Sequence, residues 1–301
     1  MKRFWIYQRE RFPLISHAPV IAAFSASAIA FSAVARHASL PAWWLLAGGF
    51  VSSLCFFLQM RIADEWKDAA DDAEFRPYRP VPRGLVSLWE LAWLGVAAAI
   101  VQFAIALAIT PRLIPFLLIV WAYFALMSRE FFVGRWLRAH PVAYIGSHML
   151  IMPMIDFYVS SFDWFVAGAT MPRALGWFLV VTFCNGLVVE IGRKIRAPRD
   201  EERGVETYSV LWGRVGATLV WCSAFAATAL LATIAAAHIG FTAYDAPIFG
   251  LVAAGALVAG FLFARHPVRA AAARIEWLSA TWTIVMYLTL GLLPFAVRAI
   301  P

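Results

Sequence analysis

The sequence predicts an all-α integral membrane protein with nine transmembrane helices, and three observations carry that reading. Of its 301 residues, 62% are hydrophobic and 14% charged, with a mean hydropathy of +0.74; soluble domains run at about 45–50% apolar and about 25% charged. The apolar residues gather into runs long enough to cross a hydrocarbon core, which takes roughly 20 residues of helix for about 30 Å. The basic residues gather between those runs, on alternate connections. This composition excludes a disordered chain and a secreted disulfide scaffold. The net charge of +7 sits at the ends of apolar runs, the distribution of membrane topology rather than of a nucleic-acid-binding surface.

Taken in order, the spans fall at about 18–36, 41–60, 88–109, 112–128, 142–160, 174–192, 209–236, 246–264 and 277–297. Pro41, Pro111 and Pro141 stand at or beside three of the starts, where a missing N–H costs a helix nothing. The fifth span is the weakest, because Pro153 and Asp156 interrupt its apolar run. Met1–His17 is polar and basic and the apolar run that follows lacks an early small-residue cleavage site, so no cleavable leader is expected. Cys55, Cys184 and Cys222 all lie in apolar runs with no metal-ligand spacing, and read as small buried hydrophobes.

Orientation follows from the connections. With the N-terminus in the cytoplasm, 21 of the 25 Lys and Arg residues fall on the cytoplasmic side. Only Arg36, Arg112, Arg173 and Arg298 fall on the other. That asymmetry requires the right number of spans between loops, so the charge parity itself supports nine. Segments 61–87 and 190–208 hold 11 of the 18 acidic residues, and both lie on the cytoplasmic side. The chemistry is expected there.

The first segment places Asp64, Asp68 and Asp72 at i, i+4 and i+8, one helix face if the second span continues past the membrane. Like charges at that spacing repel by a few tenths of a kcal/mol per pair, and a hard divalent cation relieves them; Mg²⁺ is typically held by one or two carboxylates plus substrate phosphates. Local pairs such as Arg61–Glu65 and Asp64–Lys67 on a solvated helix end are the plain alternative. In the second segment Glu190 ends a span, Pro198 breaks the helix, and Asp200, Glu201 and Glu202 follow among Lys194, Arg196 and Arg199. Interleaved arginines suit bidentate phosphate contact; basic loop residues with incidental acids are the alternative.

Residues 79–87, Arg79-Pro-Val-Pro-Arg-Gly-Leu-Val-Ser87, resemble the RPLxxGxIS signature of the UbiA-type prenyltransferase superfamily. Just upstream, Met60-Arg61-Ile-Ala-Asp64-Glu-Trp-Lys-Asp68 fills the place of its NDxxDxxxD motif, and Asp200-Glu-Glu-Arg-Gly204-Val-Glu-Thr207 is similar to the end of its second motif. Two anionic family positions are cationic here, Arg61 and Arg196, which leaves Glu190 as the upstream acid of the second motif. The resemblance implies nine helices around a central cavity, one domain over 1–301, and both motif loops on the cytoplasmic side. It implies Mg²⁺, with Mn²⁺ as a substitute, held by Asp64, Asp68 and Asp200, with Asp72 and Glu190 as further ligands. Arg61, Lys67, Arg79, Lys194 and Arg196 would face the diphosphate of a prenyl diphosphate, and the isoprenoid would pass to an aromatic or lipid-like acceptor. Alternatives on the same scaffold are a terpene cyclase and a non-catalytic lipid-binding or transport protein.

Within the spans, a carboxylate costs on the order of 2.5–3.5 kcal/mol and usually faces an interior cavity, which makes Asp156 a candidate catalytic or acceptor-binding residue. His148, eight residues before it, would share its face. Asn185, Tyr123 and Glu130 are candidate cavity residues. The expected partners are the prenyl diphosphate, a hydrophobic acceptor and membrane lipids, with no nucleic acid, in a bacterial inner (plasma) membrane.

In a background lacking the native cysteines, Asp71→Cys and Glu202→Cys should react with a membrane-impermeant maleimide only after the cytoplasmic face is exposed. Ala38→Cys and Thr170→Cys should react from outside intact cells.

Overall fold

A computed structural model describes residues 2–202 and 204–299. Arg203, counted above among the cytoplasmic basic residues, lies outside the described residues. Among these, nine long helices form the bundle: α1 Leu14–Ala35, α2 Trp43–Lys67, α3 Leu88–Ile109, α4 Pro111–Ser128, α5 Pro141–Val166, α6 Leu175–Arg193, α7 Gly213–Ile239, α8 Thr242–Arg265 and α9 Arg269–Gly291. The first eight are both long and apolar enough to cross a membrane. α9 is long enough but more polar, because it opens on Arg269, Arg274 and Glu276 before its apolar part begins. Short helices lie at Lys2–Arg11, Ala69–Phe75, Gly134–Ala139, Tyr208–Leu211 and Leu293–Arg298.

Local chemistry sets the ends. Ser87 and Glu90 form a reciprocal capping box at the start of α3: the Ser87 hydroxyl accepts from the Glu90 N–H at 3.2 Å, and the Ser87 N–H donates to Oε2 of Glu90 at 2.9 Å. Gly240, at φ 79°, ends α7 in the left-handed region that a residue with a Cβ avoids. α5 is interrupted for one residue at Leu150. Pro153 explains this: it has no N–H to offer the carbonyl of Met149, and its ring crowds that carbonyl. α2 runs on to Lys67, past the apolar boundary at about residue 60, since hydropathy marks the membrane and not the end of a helix.

α1 is the axial helix. It packs against α2, α5 and α9, and its residues from Ala28 to Ala30 have no solvent exposure. Close approach is possible because the meeting residues are small, the usual means of bringing helices together in a bilayer. A Cβ on Gly291 of α9 would lie 2.5 Å from Cα of Ser27, and one on Gly49 of α2 would lie 2.6 Å from Cδ1 of Ile29. At the end of α1 remote from the two motif loops, Arg36 grips Asp163 of α5 in a bidentate pair at 2.7 and 3.0 Å, joined by the Ser32 hydroxyl at 2.7 Å. Exposed tryptophans mark both ends of the bundle, Trp43 and Trp44 at one, Trp89, Trp93, Trp136 and Trp277 at the other.

Gly291→Ala should lower the melting temperature in detergent by the equivalent of about 1–3 kcal/mol, since backbone atoms of Ser27 stand in its way. Gly250→Ala, where the added Cβ meets nothing, should leave the melting temperature unchanged or raise it.

Candidate functional site at the loop-bearing end

The segments rich in basic residues meet at one end of the bundle. Arg11 reaches Glu65 at 2.6 Å, Arg83 reaches Glu10 at 2.9 Å, and Arg3 pairs with Glu90. Lys67 reaches Glu130 at 2.8 Å, and Arg196 and Arg269 reach Glu276 and Asp200 at 3.5 Å each. These pairs stitch the N-terminal helix, the first motif segment and Glu130 to one another, and the second motif segment to the start of α9. The two motif loops touch directly: Gly204, at φ 74°, lies so close to Phe75 that a Cβ there would sit 2.6 Å from the ring.

In the first motif the three aspartates part company. Asp68 ends α2 and the short helix Ala69–Phe75 follows it, and the three aspartates differ in burial, from exposed Asp64 through half-buried Asp68 to buried Asp72. Asp64 is exposed and its only ion pair among the described residues is the loose 3.7 Å contact with Arg61. Asp68 is half-buried and makes no ion pair among the described residues. Burial, with the charges of Asp64 and Asp72 added, pushes its carboxyl above the usual range. Asp72 is buried and engaged by Arg76 at 2.8 Å and by Arg79 at 2.6 Å. Asp72, expected as a metal ligand, and Arg79, expected at the diphosphate, face each other in this ion pair. Arg61 is likewise taken, by Glu65 at 3.2 Å. Glu65, which sequence reasoning passed over as a local partner, is a buried carboxylate held between Arg11 and Arg61.

Lys67 does not pair with Asp64. Its ammonium donates to Glu130 and to the Tyr144 hydroxyl, and it lies 4.7 Å from the Tyr144 ring centre. Burial opposes ionisation of Glu130, but the Lys67 hydrogen bond and the Lys67 and Arg138 charges outweigh it and hold the carboxyl below its usual range. Tyr144 stacks on His148 at 4.1 Å between ring centres, and Phe131 stands edge-on to His148. Glu130, Phe131 and Phe132 have φ of 48°, 52° and 59°, three successive left-handed residues without a glycine. Such backbone costs about 1–3 kcal/mol per residue and persists where its surroundings hold it. The Glu130–Lys67 pair and the Phe131 contacts with His148 and Tyr123 do so here. Tyr123 donates to the Ser147 carbonyl at 2.5 Å and so backs this wall of the site.

In the second motif Glu190 is buried and clamped by Arg193 at 2.6 Å and Lys194 at 2.8 Å. Asp64 lies within electrostatic reach of Arg193, and Lys194 lies 5.6 Å from the Tyr208 ring centre. Burial pushes the Tyr208 hydroxyl well above its ordinary range; Glu190 adds to the shift and Arg193 opposes it. The loop closes on itself through Thr207, which caps the helix Tyr208–Leu211 and donates to Glu201 at 2.7 Å, and through Ser209, which accepts from the Arg196 N–H at 2.8 Å. Asp200 sits on a single 3₁₀ turn facing Arg269.

The interior candidates form a separate cluster. Asp156 accepts from Thr182 at 2.8 Å and from Tyr287 at 3.2 Å on one oxygen, while its other oxygen has no partner among the described residues. Asn185 accepts from Thr283 at 3.2 Å. These contacts join α5, α6 and α9. Asp156 is twelve residues along α5 from Tyr144, about 18 Å at helical rise. It therefore stands apart from the loop-bearing end, and His148 belongs to the Tyr144 stack rather than to its face.

The acids suit a hard cation only in part. No group of three or more His, Cys, Asp or Glu side chains gathers among the described residues. Asp64 and Asp68 remain as two neighbouring carboxylates without a strong internal partner, the number Mg²⁺ usually takes when phosphate oxygens complete its shell. In the second motif the buried acid, Glu190, is already neutralised by Arg193 and Lys194.

The sequence matches the description "UbiA prenyltransferase family" over residues 20–284. No curated protein matches it. Among solved structures, that of a digeranylgeranylglyceryl phosphate synthase in membranes superposes with a TM-score of 0.53 at 12% identity, covering 97% of this chain and 99% of that one. The likeness at that identity is one of fold, and it spans all nine helices. With the family's extent covering most of the bundle and both motif loops, the chain belongs to the UbiA prenyltransferase family and is an intramembrane prenyltransferase.

Proposed function

We propose that the chain transfers an isoprenoid group from a prenyl diphosphate to an aromatic or lipid-like acceptor in a Mg²⁺-dependent reaction at the loop-bearing end. The observation that carries the reading is two neighbouring carboxylates without a strong internal partner, Asp64 and Asp68, on a segment that touches the second motif loop at Phe75 and Gly204, with Arg193 of that loop's base within electrostatic reach of Asp64. Asp64 and Asp68 would hold the metal, whose charge would offset that of the diphosphate as it leaves. Arg193, Lys194 and Lys67 would bind the diphosphate oxygens, each leaving part of an internal pair to do so. As the bond from the allylic carbon to the diphosphate oxygen breaks, the electron pair goes to the diphosphate, and these fixed cations favour it. The acceptor's nucleophilic atom then bonds to the allylic carbon and gives up its proton.

The Tyr144, His148 and Phe131 rings line the approach with π faces suited to an allylic cation. Asp200 is placed at the rim by Arg269, and Arg196 by Glu276, so both would act on the position of the second loop rather than on the metal. Asp156 and Asn185 would tie α5, α6 and α9 together below the reacting atoms. The membrane would be the bacterial inner membrane, with both motif loops in the cytoplasm.

Purified protein given a panel of prenyl diphosphates should release diphosphate only with Mg²⁺, and removal of the metal by chelation should abolish release. Asp68→Asn should cut the rate at least about 100-fold with the melting temperature unchanged, the cost typical of losing one transition-state charge contact. Asp72→Asn should instead lower the melting temperature, since it leaves two arginines without their buried partner. Lys67→Met should raise KM for the diphosphate about tenfold to 100-fold. Release that persists without divalent metal or in Asp68→Asn would overturn the proposal, and products without acceptor atoms would turn it toward cyclisation.

A further inference from the structure

The N-terminal helix Lys2–Arg11 uses its two faces differently. Arg3, Tyr7, Glu10 and Arg11 stand at i, i+4, i+7 and i+8, one side of a helix. Each is engaged with the first motif segment or the start of α3: Arg3 with Glu90, Glu10 with Arg83, Arg11 with Glu65, and Tyr7 packed with Ile62, Val86 and Leu91. Lys2, Trp5, Ile6 and Arg9 occupy the other side. Trp5 is 61% exposed, and Lys2 and Arg9 are exposed and make no ion pair among the described residues. Beside them runs an open groove of about 680 Å³ lined by Lys2, Phe4, Trp5, Ile6, Gln8 and Leu14. Its last residue, Leu14, begins α1, and Ile15 next to it is 89% exposed. The groove therefore lies where the chain enters the bilayer, open to whatever stands at headgroup level.

We propose that this outward face is a binding site for anionic phospholipid, with headgroup phosphates at Lys2 and Arg9 and an acyl chain lying in the groove against Trp5 and Leu14. Charge complementarity selects the headgroup: the acid of this helix, Glu10, is turned inward onto Arg83, which leaves the outward face purely cationic. The groove selects the chain, since its walls are apolar and it opens onto the layer that α1 enters. The inward face carries Arg11 to Glu65, next to Asp64. Lipid that steadies this helix thus steadies the first motif, a coupling that rests on the function proposed above.

The full-length protein in nanodiscs of phosphatidylcholine alone, or of an equimolar mixture with phosphatidylglycerol, tests the site by native mass spectrometry of the lipids that stay bound. Phosphatidylglycerol should be retained in preference. The double variant Lys2→Glu, Arg9→Glu should lose that preference by about fivefold per side chain, with the melting temperature unchanged. Equal retention of both lipids, a preference that survives the double variant, or a second copy of the chain covering the face in place of lipid would each overturn the site. Mg²⁺-dependent diphosphate release should be faster in the mixed discs for the wild type alone. Equal rates with the lipid preference intact would remove the coupling and leave the site. Absence of release in both discs would count against the proposed function, while the retained lipids still decide the site.

Discussion

Charge at a membrane boundary has to be answered locally, and at the loop-bearing end of this bundle it is answered in pairs. Each of the three buried carboxylates there is held between two cations: Glu65 between Arg11 and Arg61, Asp72 between Arg76 and Arg79, Glu190 between Arg193 and Lys194. Removing one partner of such a group leaves an uncompensated charge out of water, a cost of several kcal/mol. Asp68 is the exception. Burial and the charges of Asp64 and Asp72 make its carboxyl harder to ionise, and no cation faces it at ion-pair distance among the described residues. Asp64, with only the loose 3.7 Å contact to Arg61, and Asp68 thus stand apart from the paired carboxylates around them.

The same pairing rule accounts for the two cationic positions that the family pattern would make acidic. Arg61 neutralises Glu65 and touches Asp64, and Arg196 reaches Glu276 of α9 while its N–H holds Ser209. Both serve internal contacts. The Arg61 pairs stay within α2, and Arg196 ties the second motif loop to α9. The strained run Glu130–Phe132 belongs to this economy of contacts, since Glu130 is what keeps Lys67 beside Tyr144.

Much of the fold was legible in the sequence, because membrane spans are written in long-period hydropathy and topology in the placement of Lys and Arg. The nine helices and the grouping of five basic segments at one end follow from those signals. Less was legible where a side chain's partner is distant in sequence. Lys67 was expected to face diphosphate or Asp64, and its partners Glu130 and Tyr144 come from the far side of two spans. The i, i+8 spacing of Asp64 and Asp72 promised a common role, but Asp72 is buried against Arg76 and Arg79 while Asp64 is exposed. Glu65 carried no signal beyond its i+4 spacing from Arg61; its burial depends on Arg11, which arrives from a separate helix. The Gly204 contact with Phe75 was likewise beyond reach, since it joins two loops separated by four spans.

The central claim is that Asp64 and Asp68, and not the acids of the second loop, form the cation-binding pair. Electron paramagnetic resonance of Mn²⁺, titrated into the full-length protein with a non-reactive prenyl thiolodiphosphate, tests it most directly. Bound Mn²⁺ should disappear in the Asp64→Asn, Asp68→Asn double variant and persist in Asp200→Asn. Binding that survives the double variant and is lost in Asp200→Asn would contradict it.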